Sequence, residues 1–121
     1  MAWSAEVTET QQTSIGTSWT TGGQTQTLNP GETAAGVIWV DNQSGTVTDS
    51  LDIRVLVSHD GSNWSQAPIM EFRYTPPNVN NEPGPPVTIT GWPNFKMSYK
   101  SSGATNTYNA QLKYKKDGVN L

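Results

Sequence analysis

An all-β antiparallel sandwich of six to eight short strands is the fold this sequence predicts, and three observations predict it. Apolar residues alternate with polar ones at period two and nowhere recur at the spacing of an amphipathic helix. Turn residues return at intervals of roughly 8–12 positions, as in two-sheet β folds. Only 14% of the 121 residues are charged. Thr, Ser, Asn, Gln and Gly supply the polarity instead, which suits strands with hydroxyl-rich outer faces and polar turns. A chain of this length builds one core rather than two. Jelly-roll and immunoglobulin-like strand orders both stay open.

After Met1, the first 27 residues have Trp3, Val7, Ile15 and Trp19 as their only large apolar side chains. Such a segment forms edge strands, or it is a polar arm that orders on a partner. Residues 28–121 carry the regular pattern of the sandwich domain. Its first signal is Leu28-Asn29-Pro30-Gly31-Glu32, where Pro then Gly at the central turn positions predicts a type II turn. Ala35–Val40 is apolar on both faces and reads as a central strand covered from two sides. Along 51–58, Leu51, Ile53, Val55 and Val57 share one face, with Asp52, Arg54, Leu56 and Ser58 on the other. His59-Asp60-Gly61-Ser62-Asn63 marks a hairpin, because Asp-Gly readily adopts tight-turn geometry. Trp64 opens the return to 69–74, where Met70, Phe72 and Tyr74 share a face.

Thr75–Pro86 is proline-rich and reads as a stiff, extended loop, since proline has no N–H to give a sheet interior. Loops of this length are often functional. Val87–Thr90 is a short strand before the corner Gly91-Trp92-Pro93-Asn94. Phe95, Met97 and Tyr99 then alternate with Lys96, Ser98 and Lys100. After the loop Ser101–Asn106, Tyr108, Ala110, Leu112 and Tyr114 alternate with Asn109, Gln111, Lys113 and Lys115. The expected core is Leu51, Ile53, Val55, Val57, Phe72, Ile89, Phe95, Met97 and Leu112, joined by Trp39.

Groups that do chemistry are scarce. The single histidine, His59, stands beside Asp60 in a turn, where neighbouring side chains point apart and do not form an oriented catalytic pair. The ten acidic residues are dispersed. Asp60-Gly61-Ser62-Asn63 lacks the later ligands of a calcium loop, and Gly22-Gly23 lacks the Lys that completes a phosphate-binding loop. Cysteine is absent, so neither a disulfide nor a thiolate metal site is available. The expectation is a protein without enzymatic activity, cofactor or metal. A net charge of −3 argues against nucleic acid as a partner. Lys96, Lys100, Lys113, Lys115 and Lys116 read as solvated strand faces. No apolar run approaches the ~20 residues of a membrane span. The opening residues, Met1 to Glu6, lack the basic and apolar regions of an export signal, which predicts assembly in the cytoplasm. Asn42-Gln43-Ser44 and Asn63-Trp64-Ser65 then read as chance glycosylation matches. Tryptophan is the one enriched contact residue, with five copies. Trp39 and Trp64 fit the core, whereas Trp3, Trp19 and Trp92 lie in polar or turn contexts and are the expected partner contacts.

The string Ser58-His59-Asp60-Gly61-Ser62-Asn63-Trp64 is followed by a strand from Pro68 to Phe72 and a proline-rich link. A strand–Ser-Gly-x-Thr–strand unit then ends in Lys115-Lys116-Asp117-Gly118-Val119. This series resembles small β-sandwich virion proteins of tailed bacteriophages, and Thr27–Ala34 is similar as well. The resemblance spans most of the chain and rests on turn signatures. It implies a head decoration, or cement, protein: a homo-oligomer, often a trimer, that binds the major capsid protein and stabilises the shell. Its place would be the virion, after assembly in the host cytoplasm. The alternative is a carbohydrate-binding module on a phage head or tail fibre. That function would hold a surface glycan and needs Trp64 or Trp92 exposed on a flat or grooved face.

Overall fold

Period-two alternation resolves into nine strands and no helix among the described residues, which in this computed structural model are 3–20, 24–42, 47–76 and 82–117. The strands are β1 (Val7–Thr8), β2 (Gln12–Ile15), β3 (Gln26–Thr27), β4 (Thr33–Asn42) and β5 (Leu51–Ser58). They continue with β6 (Met70–Tyr74), β7 (Glu82–Thr90), β8 (Asn94–Ser101) and β9 (Tyr108–Asp117). Sheet A runs β1-β9-β4-β7, with β2 also on β9, and sheet B runs β3-β8-β5-β6. All pairings are antiparallel.

β1 and β2 lie end to end on the same edge of β9. Val7 pairs with Tyr114 and Gln12 with Ala110, so they form one strand broken by a bulge. Counting them together gives two four-membered sheets in which, among the described strands, every connection crosses to the other sheet except the β5–β6 hairpin. That order is the jelly-roll of the two topologies left open by the sequence.

The inner faces are those the alternation predicts. Leu51, Ile53, Val55 and Val57 from β5 meet Ile38, Val40, Ile89 and Leu112 across the core, with Phe95, Met97, Tyr99 and Tyr108 filling the space between. Ring stacking is specific too: Phe95 meets Tyr114 edge-on at 5.6 Å. The expected type II turn is present, with Glu32 N–H donating to Asn29 O at 3.0 Å and Gly31 at φ 84°.

Five expectations change. Trp39 is not in the core, because β4 turns Ile38 and Val40 inward and leaves Trp39 half-exposed beside Lys113. Trp64 is likewise half-buried on the surface. Ala35 and Val37 are half-exposed, so β4 is central but covered on one side only. Residues 82–86 of the expected proline-rich loop are strand: Pro86 faces Val37 and Pro83 faces Trp39. β7 is the outer strand of sheet A, where a proline leaves no ladder partner unmet and discourages further pairing. Residues 77–81 of that loop, and Gly118-Val119 of the closing motif, lie outside the described residues. Phe72, on outer strand β6, is partly buried against the core rather than within it.

The N-terminal segment borders both sheets on one side of the sandwich. After β2 on the edge of β9, the chain crosses to the edge of β8. Ser101 N–H donates to Gly16 O, Thr20 N–H to Tyr99 O, and Tyr99 N–H to Thr20 Oγ1. β3 then continues on the same edge of β8. Residues 3–20 and 24–27 are therefore tied along the edges of both sheets, which covers backbone groups that would otherwise invite another chain.

At the end of the sandwich where β8 leads to β9, buried Asn106 holds the 47–50 segment in place. Its Oδ1 accepts from Thr48 N–H at 2.8 Å and Asp49 N–H at 2.7 Å, while its own N–H donates to Asp49 Oδ2 at 2.7 Å. The Tyr108 hydroxyl donates to Asp49 O beside them. Asn106→Ala removes the acceptor for two backbone donors, and an expected loss of about 2 kcal/mol follows. Urea unfolding checks this; a loss below about 0.5 kcal/mol would show that water replaces the amide without cost.

Candidate functional site

The opposite end of the sandwich collects two of the three tryptophans singled out as contacts. β4 begins there, β5 and β9 end there, and the chain turns there through Gly91-Trp92-Pro93 between β7 and β8. In sheet A the last row of partners runs Trp3, Asp117, Thr33, Thr90 across adjacent chain segments. Three inter-strand steps of about 4.8 Å place the backbones of Trp3 and Thr90 roughly 14 Å apart. Trp92 follows Thr90 by two residues, so the two indoles mark two corners of one end.

Trp3 is 52% exposed and Trp92 37%. Their backbones are nonetheless fixed. Trp3 bridges to Asp117, Ser4 N–H donates to Lys116 O at 2.8 Å, and Lys116 N–H donates to Ser4 Oγ at 2.9 Å. Next to Trp92, Pro93 O accepts from Leu28 N–H at 2.8 Å. An exposed aromatic on a fixed backbone contributes contact area at little entropic cost, since only its two side-chain torsions must be ordered.

The other three tryptophans cover cations. Trp19 lies 4.3 Å from the Arg54 guanidinium and 5.0 Å from Lys100 Nζ, on the outer face of sheet B. Trp64 stands 4.3 Å from Lys96 Nζ, and Trp39 the same distance from Lys113 Nζ. Each pairing shields ring surface and holds a strand-face cation in place. Trp19, expected as a contact, therefore sits on a sheet face away from Trp3 and Trp92.

Trp92 also forms one wall of a cleft of about 260 Å3, with Leu28 and Pro93 as apolar walls and Asn29, Glu32 and His59 as polar ones. Two turns frame it, and both are locally specified. Asn29 N–H donates to Glu32 Oε1 at 2.6 Å, which closes the Asn-Pro-Gly-Glu turn from its side chain as well as its backbone. Gly91 holds φ 86°, a left-handed conformation that sharpens the corner before Trp92.

His59 shares this cleft with the Glu32 carboxylate and gains no carboxylate partner from the turn it sits in. Its neighbour Asp60 is consumed by the hairpin turn: Oδ1 accepts from Ser62 N–H and Asn63 N–H at 2.8 Å each, and Oδ2 from Asn63 Nδ2 at 2.7 Å. These donors hold the Asp60 carboxyl well below the usual carboxylate range. Among the described residues no group of three or more His, Asp or Glu side chains converges to hold a metal ion.

An acid displaced in the opposite direction lies elsewhere, in the core. Glu9 sits between β1 and β2, 1% exposed, with Oε1 accepting from the Tyr99 hydroxyl at 3.0 Å and from Leu112 N–H at 3.2 Å. Its Oε2 is buried without a partner. Burial pushes the Glu9 carboxyl up to about 7, against the lowering pull of Leu112 N–H, the Tyr99 hydroxyl and the Gln12 side chain. Burial also raises the Tyr99 hydroxyl well above its ordinary value, and the nearby Glu9 adds to it.

Trp3 and Trp92 are exposed as their sequence contexts predict, but the sequence gives no sign that Glu32, Asn29 and His59 are companions of Trp92. Each lies in a turn that the sequence marks clearly. That the three turns meet depends on β3 pairing with β8 and β5 with β8, which no local signal reveals. Compared with protein-family models, curated proteins and solved structures, the chain matches none.

Proposed function

We propose that this chain is a non-enzymatic virion structural protein, a decoration protein that binds the head of a tailed phage and stabilises its shell. Trp3 carries the reading: a large aromatic more than half exposed on a backbone locked to β9 has the character of an interface anchor. The resemblance of the turn motifs to small virion β-sandwiches supports it. So does the jelly-roll order, which recurs in viral capsid and lectin domains, although fold alone does not assign function.

The partner is the major capsid protein, and the working form is a homo-oligomer, with a trimer favoured. Stabilisation arises by mass action, because the protein binds assembled capsomers and not separated ones. Trp3, at its own corner of the end it shares with Trp92, makes the contact.

Removing the N-terminal segment is a poor test, since Glu9 and Ile15 are buried and β1 and β2 edge sheet A. A single substitution is cleaner. Trp3→Ala, added to heads stripped of accessory proteins, is expected to bind roughly ten-fold or more weakly while its melting temperature stays within a few degrees. Sedimentation with the heads reads the binding. Wild-type protein that fails to co-sediment, or Trp3→Ala that binds as well as wild type, would sink this proposal.

A further inference from the structure

We propose that the cleft walled by Trp92, Leu28 and Pro93 is a binding site for one neutral saccharide ring, independent of head attachment. A pyranose has an apolar C–H face and a rim of hydroxyls that both donate and accept. A site for it needs a flat apolar wall and, beside it, side chains of mixed hydrogen-bonding character.

This cleft supplies both. The exposed Trp92 indole gives the wall, and buried Leu28 with half-buried Pro93 extends the apolar surface. Glu32 is an acceptor; Asn29 and His59 can each donate and accept. One Glu32 oxygen is engaged by Asn29 N–H, so the carboxylate is oriented and its second oxygen stays available to a hydroxyl. The volume, about 260 Å3, lies just below the range typical of drug-sized ligands and fits one ring rather than a chain of them.

Other occupants fit less well. An aliphatic side chain from a protein would strand Asn29, Glu32 and His59 without partners, a desolvation cost for each. A Lys or Arg side chain would suit Trp92 and Glu32, yet it carries donors only and offers no acceptor to the N–H groups of Asn29 and His59. A ring of hydroxyls uses every polar wall.

The walls are also set in advance. Leu28 N–H to Pro93 O joins the two turns, and Gly31 and Gly91, at φ 84° and 86°, place no side chain at the mouth. Binding therefore orders little, which favours measurable affinity for a small ligand.

The experiment is an NMR titration of the full chain with methyl glycosides of glucose, galactose, mannose and N-acetylglucosamine. Nα-acetyl-lysine amide serves as a cationic probe. At least one glycoside is expected to give saturable shifts confined to residues 28–32, 59 and 91–93, including the Trp92 indole N–H. Trp92→Ala and, separately, Glu32→Gln are expected to weaken that binding roughly ten-fold, with the remaining spectrum unchanged. Trp3→Ala is expected to leave it intact, which separates this site from head attachment. The inference is overturned if no glycoside shifts these residues at tens of millimolar, if both variants bind like wild type, or if only the cationic probe binds.

Discussion

Raising the pH from 4 to 9 is expected to cost this protein about 3 kcal/mol of stability through Glu9 alone. The carboxyl titrates near 7 in the folded protein and near 4.5 when unfolded. The folded state thus holds its proton more tightly. The full contribution is present below pH 4.5, declines as the pH rises through about 7, and is constant above that. A displacement of this size corresponds to about 3 kcal/mol at roughly 1.4 kcal/mol per pH unit. The surroundings explain why the charge is costly. Tyr99 from β8, Tyr114 and Leu112 from β9, and Gln12 from β2 are the groups that touch or sense it, and none is cationic. Glu9→Gln keeps an acceptor for Tyr99 and Leu112 N–H and removes the titration. Its amide nitrogen inherits the place of the unpartnered Oε2, at a cost of about 1 kcal/mol. The variant is expected to be less stable than wild type at pH 4 and about 2 kcal/mol more stable at pH 9, which is roughly 8 °C in Tm. Urea unfolding at several pH values reads both. A wild type whose stability rises between pH 5 and 8, or a variant that keeps the same slope, would falsify the assignment to Glu9.

Glu9 also shows what the sequence conceals. Strand period puts it on the face of Val7, toward the core, yet its charge and its polar neighbours argue for the outside. The bulge between β1 and β2 and the pairing with β9 decide the matter, and β9 lies some hundred residues away in sequence. Signals within a few residues were readable. The strand at 51–58, the Asn-Pro-Gly turn and the Asp-Gly hairpin are local chemistry and each forms, although Asp52, Leu56 and Ser58, on the face expected to be open, are buried as well. Trp39 marks the limit of that reading. Ala35–Val40 is apolar on both faces, so periodicity groups Trp39 with Val37 and cannot say which group turns inward. The smaller Ile38 and Val40 fill the space between sheets, and Trp39 takes the outer face with Lys113.

The candidate site follows the same rule. Exposure of Trp3 and Trp92 was legible, because polar and turn contexts rarely bury a large ring. Their common location was not, since it depends on the terminal row of sheet A, where Trp3, Asp117, Thr33 and Thr90 align. Three of five tryptophans cover lysine or arginine side chains, and the cations involved come from strands remote in sequence. Composition shows the supply of rings and cations. Only the pairing of strands shows which rings are left for a partner.

Gly36→Ala is expected to destabilise the fold by about 3 kcal/mol, the largest effect of any single methyl group here. Gly36 faces Tyr114 in the β4–β9 ladder. A Cβ added at Gly36 would lie 2.6 Å from both the Cα and the Cβ of Tyr114, and closer still to the carbonyl oxygen of Lys113. Those atoms are backbone or fixed to it, so no rotamer change relieves the clash. β4 must move away from β9, yet the two are paired continuously from Thr33–Asp117 to Asn42–Tyr108. Tyr114 is further held by its hydroxyl, which donates to Gln26 Oε1 at 2.6 Å across to β3. Local displacement therefore disturbs both sheets at once. Gly16→Ala is the matched control: nothing lies within 4 Å of the added carbon, and its stability is expected within about 0.5 kcal/mol of wild type. Urea unfolding of the two variants tests the contrast. A Gly36→Ala loss below about 1 kcal/mol would mean that β4 and β9 separate easily. A large loss with an unchanged m-value would show that close approach of these two strands, not added side-chain surface, is what glycine secures at this position.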